Sequence, residues 1–316
     1  MVDYADVAAA RATLGGDVRR TPLLSSTRLG DQIGARLYHK AELFQKTGSF
    51  KIRGALNCLR HLTPEELGRG VVAVSAGNHA QGLAWAAQKV GTRCTIVMSS
   101  HASQSKLAAT RGYGANIVLV DGPIHEAFAT AARLVEEDGL VDVHGFDNPH
   151  IIAGQGTVGL EIVEQLPEVD VIVCPVGGGG LISGVSIAAK GNGGQIRVYG
   201  VEPLGASAMR QSWDRGEPVQ LESVNTIADG LAPPMAGRIT YPLTRQYVDD
   251  IVTLTEDEII AGLKAVMTFA KLYAEPSGAA ATAALLADKI PINPGENVVA
   301  IVSGGNFDLE KLKTIL

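Results

Sequence analysis

The sequence predicts an α/β protein with two layers, each a mostly parallel sheet flanked by helices, and three observations carry that prediction. Short apolar runs recur along the chain, each followed or preceded by a helical pattern, as in βαβ units. They fall into two series, at residues 71–74, 94–98, 116–120 and 140–143, then at 169–176, 196–201, 250–254 and 297–302. Composition agrees: 46% of the residues are hydrophobic and only 5% aromatic, which suits sheets and helices built on Ala, Val, Ile, Leu and Gly.

Taken in order, residues 1–20 read as an amphipathic helix ended by Arg19-Arg20-Thr21-Pro22, since proline disfavours helix in the residue before it. Residues 37–43 read as a strand leading into the turn Thr47-Gly48-Ser49. Ile52, Ala55, Leu56 and Leu59 then recur at helical spacing, with Ser49 as the expected N-cap. Lys51 falls in the first turn, at the positive end of the helix dipole. An ammonium ion there loses its proton more readily, and a free amine can attack a carbonyl. On local sequence alone, a solvated first-turn lysine explains the pattern better. Further helices are expected at 156–165, 181–190 and 256–272. Because the lysine element precedes the first series, the expected division is a large domain of residues 1–66 and 150–316 and a small one of 67–149. The cleft between them is the natural ligand site.

Composition excludes several classes. No apolar run among the 316 residues spans a membrane and the N-terminus has no signal-peptide core, so the expectation is a cytoplasmic protein. Cys58, Cys94 and Cys174 lie far apart in apolar segments, with neither disulfide nor zinc spacing. A net charge of -6 with dispersed basic residues points away from nucleic acid and charged membrane surfaces.

Pro175-Val176-Gly177-Gly178-Gly179-Gly180-Leu181 closes a strand and opens a helix. Successive glycine amides at a helix N-terminus bind a phosphate without lysine or arginine. The rival is a dinucleotide fingerprint: Gly178 and Gly180 fit it, Ser183 replaces its third glycine, and Glu202 ends the next strand where a ribose acid would stand. Ser75-Ala76-Gly77-Asn78-His79 is a second strand-to-helix turn, suited to a carboxylate or phenolic oxygen, or simply to capping a helix. The hydroxyl of Ser303-Gly304-Gly305-Asn306 either meets a ring nitrogen or caps the last helix. All lie beyond strand carboxyl ends, where doubly wound folds place ligands. An amine, a phosphate cradle, a carboxylate turn and a ring-nitrogen hydroxyl are what a pyridoxal phosphate site requires.

These turns, together with Glu42-Leu43-Phe44-Gln45-Lys46-Thr47-Gly48-Ser49-Phe50-Lys51-Ile52-Arg53-Gly54-Ala55 and Gly154-Gln155-Gly156-Thr157, resemble the serine/threonine dehydratase and serine racemase family. The likeness spans nearly the whole chain in the same order. It implies the tryptophan synthase β-like fold (fold type II), two three-layer α/β/α domains. By that resemblance Lys51 would carry pyridoxal 5'-phosphate as a Schiff base, Phe50 would pack near its ring and Asn78 would bond its 3-hydroxyl. Gly177, Gly178, Gly179, Gly180 and Leu181 would hold the phosphate, and Ser303 would contact the pyridine nitrogen. Ser75, Ala76, Asn78 and His79 would bind the substrate, with Asp229 and Glu275 in supporting roles.

The implied activity is dehydration and deamination of a small β-hydroxy amino acid, L-threonine, L-serine or a relative such as 3-hydroxyaspartate, to a 2-oxo acid and ammonia. A serine at the ring nitrogen suits this, because a weaker electron sink favours expelling a β-hydroxyl. An amino-acid racemase is the alternative, but Ala76 stands where racemases of the group place a proton-donating serine. An NAD-dependent dehydrogenase and a non-catalytic binding protein are further options. The family's divalent-cation site would draw on Glu202 and on an aspartate aligned with Ala208, so its second hard ligand is missing here, although backbone carbonyls and water could still complete a looser divalent-cation site. The resemblance also implies a homodimer of the short, catabolic type without a regulatory domain.

Overall fold

The computed structural model describes residues 1–191 and 193–315. α1 (Tyr4–Leu14) opens on a reciprocal pair, with Asp3 accepting from the Asp6 amide and Asp6 from the Asp3 amide. It is shorter than the expected 1–20, because Gly15, at φ +52°, ends it. β1 (Leu23–Ser25) and α2 (Thr27–Ile33), which sequence reasoning missed, precede β2 (Arg36–Ala41), α3 (Lys51–Arg60) and α4 (Pro64–Arg69).

The first series of strands follows. β3 (Val71–Val74), α5 (Asn78–Val90), β4 (Cys94–Ser99), α6 (Gln104–Gly112), β5 (Asn116–Val120), α7 (Ile124–Asp138) and β6 (Val141–Asp142) make a parallel four-stranded sheet in the order β5-β4-β3-β6. After α8 (Pro149–Gln165), the second series runs β7 (Val171–Pro175), α9 (Gly180–Lys190), β8 (Arg197–Pro203), α10 (Ala208–Arg215), α11 (Thr240–Tyr247) and β9 (Asp250–Leu254). It continues through α12 (Glu256–Ala265), α13 (Pro276–Leu286), β10 (Asn297–Val302) and α14 (Leu309–Ile315). The expected helix 256–272 is α12 extended by the π-helical turn Val266–Ala270 and stopped by Lys271 at φ +60°. This six-stranded sheet has the order β1-β2-β10-β7-β8-β9, with β1 alone antiparallel to its neighbour.

Register positions the site. Ala41 pairs with Val302, so the chain leaving β2 toward Lys51 runs beside the turn after β10, and Ser49 forms a bridge with Gly304. Ser49 is therefore spent on strand-like pairing and does not cap α3. The N-cap is Phe50, which makes no side-chain cap bond and whose amide donates to Ser303 O.

α3 faces two ways. Ile52, Leu56 and Leu59 are fully buried against α5, β3 and β4, each side chain contributing roughly 1.5–3 kcal/mol. Its other face carries Arg53, whose side chain is 0% exposed. Arg53 Nε donates to Glu42 Oε2 (2.8 Å) and Nη1 to Glu161 Oε1 (2.7 Å), while the equally buried Lys40 donates to Glu161 Oε2 (2.6 Å). Two cations and two carboxylates thus balance in a sealed network joining α3, α8 and β2. Burial works against the Arg53 charge, and Glu42 and Glu161 outweigh it.

Candidate active site

The carboxyl ends of both sheets open on one cleft of about 1000 Å³. It is lined by Phe50, Lys51, the 75–79 turn, Gly177 to Leu181 and Ser303. Every site residue expected from sequence is brought there except Glu202.

Lys51 begins α3, and its Nζ donates to Gly145 O (2.8 Å), 5.2 Å from the centre of the Phe50 ring. Burial pushes its ammonium down from 10.5 to about 8, partly opposed by Glu275. The sequence suggested the helix dipole as the cause; in the folded protein desolvation comes first.

The tetraglycine turn links β7 to α9, with Gly179 at φ +92°. A Cβ on Gly178 would strike the Phe146 ring, and one on Gly179 would lie 2.6 Å from Met209 Cε, so side chains are excluded from the turn. Among the described residues, the amides of Gly177, Gly178, Gly179, Gly180 and Leu181 find no acceptor. Five unpaired donors at a helix N-terminus suit a dianionic phosphate. Thr240 Oγ1 donates to Gly178 O (2.6 Å) and holds the turn from behind.

In the second turn, Ser75 Oγ accepts from the amides of Gly77 (3.2 Å) and Ala80 (3.3 Å). The amides of Ala76, Asn78 and His79 stay unpaired among the described residues, as a carboxylate site requires. The His79 ring turns away, and Nε2 donates to Val143 O (2.9 Å). Burial, reinforced by the Lys51 charge, pushes that imidazole down to about 3, so His79 can serve the cleft through its amide alone. Asn78 Nδ2 donates to Glu275 Oε1 (2.6 Å), and burial pushes Glu275 up to about 7. Ser303 is buried, and its hydroxyl has no partner among the described residues.

Residues 144–147, unremarked in the sequence, tie these parts together. Gly145 receives Lys51 and Phe146 packs on the tetraglycine turn. The Asp147 carboxylate accepts from the amides of Arg238 (2.8 Å), Ile239 (2.8 Å) and Thr240 (3.2 Å), anchoring the start of α11 behind the phosphate turn. His144 Nδ1 accepts from the Asp147 amide (2.9 Å), which fixes its tautomer.

Glu202 lies outside the cleft lining, 0% exposed, with its oxygens accepting from the amides of Met209 (2.9 Å) and Arg210 (2.7 Å) at the start of α10. Burial pushes its carboxyl up to about 8. Each oxygen thus accepts one amide at the start of α10, so Glu202 is not a free ribose acid. Among the described residues, no group of three or more His, Cys, Asp or Glu side chains is placed to hold a metal.

Unpaired amides at two turns, a half-buried amine and a lone hydroxyl on buried Ser303 fit a phosphorylated, nitrogen-containing aldehyde cofactor. The chain belongs to the family of pyridoxal-phosphate dependent enzymes, which matches residues 14–304. Its architecture is that of fold type II within that group, and the dinucleotide alternative is set aside. The chain is 46% identical to the L-threonine ammonia-lyase of Thermotoga maritima over 316 residues, 100% of this chain and 78% of that protein. Its fold is similar to that of maize serine racemase, with a TM-score of 0.95 and 40% identity over 99% of this chain and 96% of that one. It is also similar to threonine deaminase isoform 2 of Solanum lycopersicum, with a TM-score of 0.91 and 38% identity over 98% and 90%.

Proposed function

We propose that this protein is an ammonia-lyase that converts a small β-hydroxy amino acid, with L-threonine and L-serine foremost and 3-hydroxyaspartate a related possibility, to a 2-oxo acid and ammonia. The observation that carries the reading is the half-buried amine of Lys51 lining one cleft with the unpaired amides of Gly177 to Leu181. Pyridoxal phosphate bound there supplies an electron sink at the substrate's α-carbon. Lys51 Nζ would hold the cofactor and would be the base that takes the α-proton. The tetraglycine amides would hold its phosphate, Phe50 would lie beside its ring and Ser303 Oγ would serve its ring nitrogen. The amides of Ala76, Asn78 and His79 receive the substrate carboxylate. An assay for 2-oxo acid across L-threonine, L-serine and 3-hydroxyaspartate tests the reading, and no turnover of any of them would end it.

With Lys51 pushed down to about 8, cofactor capture by the cofactor-free protein should accelerate with pH and level off above about 8. A rate still climbing toward 10.5, the ordinary lysine value, would contradict this. Stopped-flow absorbance at fixed cofactor concentration measures it.

The maize racemase likeness makes racemisation the second reading. Ala76 lines the cleft with no group able to carry a proton, so Lys51 would be the sole shuttle at the α-carbon. Chiral analysis of L-serine incubations should find no steady D-serine. Ala76→Ser should produce it at a detectable rate, and D-serine from the unaltered protein would favour the racemase.

Residues 1–66 with 150–316 form the large cofactor-binding domain and 67–149 the small one, supported by a four-stranded sheet drawn wholly from 71–142. A homodimer is the family's pattern, and buried free Cys58, Cys94 and Cys174 suit a reducing, cytoplasmic compartment. A divalent cation would have to rest on Glu202 with backbone carbonyls and water, since Ala208 offers no side-chain oxygen.

A further inference from the structure

We propose that Asn306 and Glu275 are positioning residues that fix the Asn78 amide so that it presents an N–H, and not a carbonyl oxygen, to the group bound beside Lys51. The inference rests on the cleft being a pyridoxal phosphate site. Its starting point is Thr47 O, a backbone carbonyl that can only accept. Asn306 Nδ2 donates to it (2.7 Å) and also to Asn78 Oδ1 (2.8 Å), which uses both of its hydrogens. Asn78 must therefore turn its oxygen to Asn306 and its nitrogen to Glu275, where Nδ2 donates to Oε1 (2.6 Å). One Nδ2 hydrogen remains, without an acceptor among the described residues.

Two glycines make room for this relay. Gly48 sits at φ +74°, and a Cβ there would strike the Asn306 side chain. A Cβ on Gly304 would strike Glu275 Oε1 and lie 3.1 Å from Asn78 Nδ2. The small residues before Lys51 and after β10 are thus needed for the polarity of the relay as well as for turning the chain. Glu275 keeps an acceptor oxygen whether or not it is protonated, so the direction holds in both states. A donor fixed in this way favours a deprotonated phenolic oxygen on the cofactor.

The test titrates cofactor-free wild-type, Asn306→Asp, Asn306→Ala, Glu275→Gln and Glu275→Ala proteins with pyridoxal phosphate. It follows visible absorption, and borohydride fixation on Lys51 runs in parallel. Asn306→Asp replaces the donor by an acceptor and turns the Asn78 amide over. Affinity should fall about 10- to 100-fold and the long-wavelength band should give way to a shorter one. Asn306→Ala should fall between it and wild type. Glu275→Gln, which keeps an acceptor, should retain the wild-type spectrum that Glu275→Ala loses. If Asn306→Asp binds with unchanged spectrum and affinity, the relay does not orient Asn78 and the proposal is overturned. Should that variant not fold, as judged by circular dichroism, Gly48→Ala displaces Asn306 without altering its chemistry and must produce the same spectral loss. A wild-type protein that never yellows and yields no fixed lysine overturns the cofactor reading instead.

Discussion

Alanine in place of Lys51 should leave a folded protein whose production of 2-oxobutanoate from L-threonine is lower by at least about 10³-fold. The side chain makes one hydrogen bond, to Gly145 O, so little of the fold depends on it. On the proposed reading the chemistry depends on it twice, as the covalent holder of the cofactor and as the base at the α-carbon, and the 75–79 turn offers no substitute: Ala76 has no titratable group, and the His79 ring donates to Val143 O and is pushed down to about 3. Borohydride treatment should fix cofactor to the unaltered protein and not to Lys51→Ala. A variant that keeps normal turnover would refute the assignment outright.

Arg53→Met should act on the fold, two residues away from the amine. It strands Glu42 and Glu161 in a sealed interior with only Lys40 to balance them, and removing one partner of a buried ion pair costs about 3–5 kcal/mol. Urea unfolding of the cofactor-free protein should report a loss of that order, and the double change Arg53→Met, Glu42→Gln, which leaves Lys40 paired with Glu161, should recover part of it. If the single substitution melts like wild type, the network carries no stability and the close pairing of the four side chains has another purpose.

The architecture was legible because buried parallel strands announce themselves: β7 and β10 are apolar almost throughout, and both series of runs became sheets. Site residues were legible where chemistry is local, as in four consecutive glycines or a lysine beside an aromatic. What stayed hidden depends on distant partners. Nothing near Arg53 reveals Glu161, 108 positions on, and nothing near Asn78 reveals Glu275 or Asn306. Ser49 is a good cap by residue type, but its bridge to Gly304 is a tertiary fact that overrode local preference. Glu202 ended the right strand for a ligand, yet the helix that claims it starts six residues later. The short β1 and α2 escaped because three- and seven-residue elements leave too little periodicity to read.

α3 packs between α5 and α8, its apolar side in the core that holds the four-stranded layer and its guanidinium paired with Glu42, just after β2, and with Glu161 on α8. A substitution in either layer that shifts this short helix therefore carries the amine at its start along with it, and the reach of Lys51 into the cleft is set by packing on both sides.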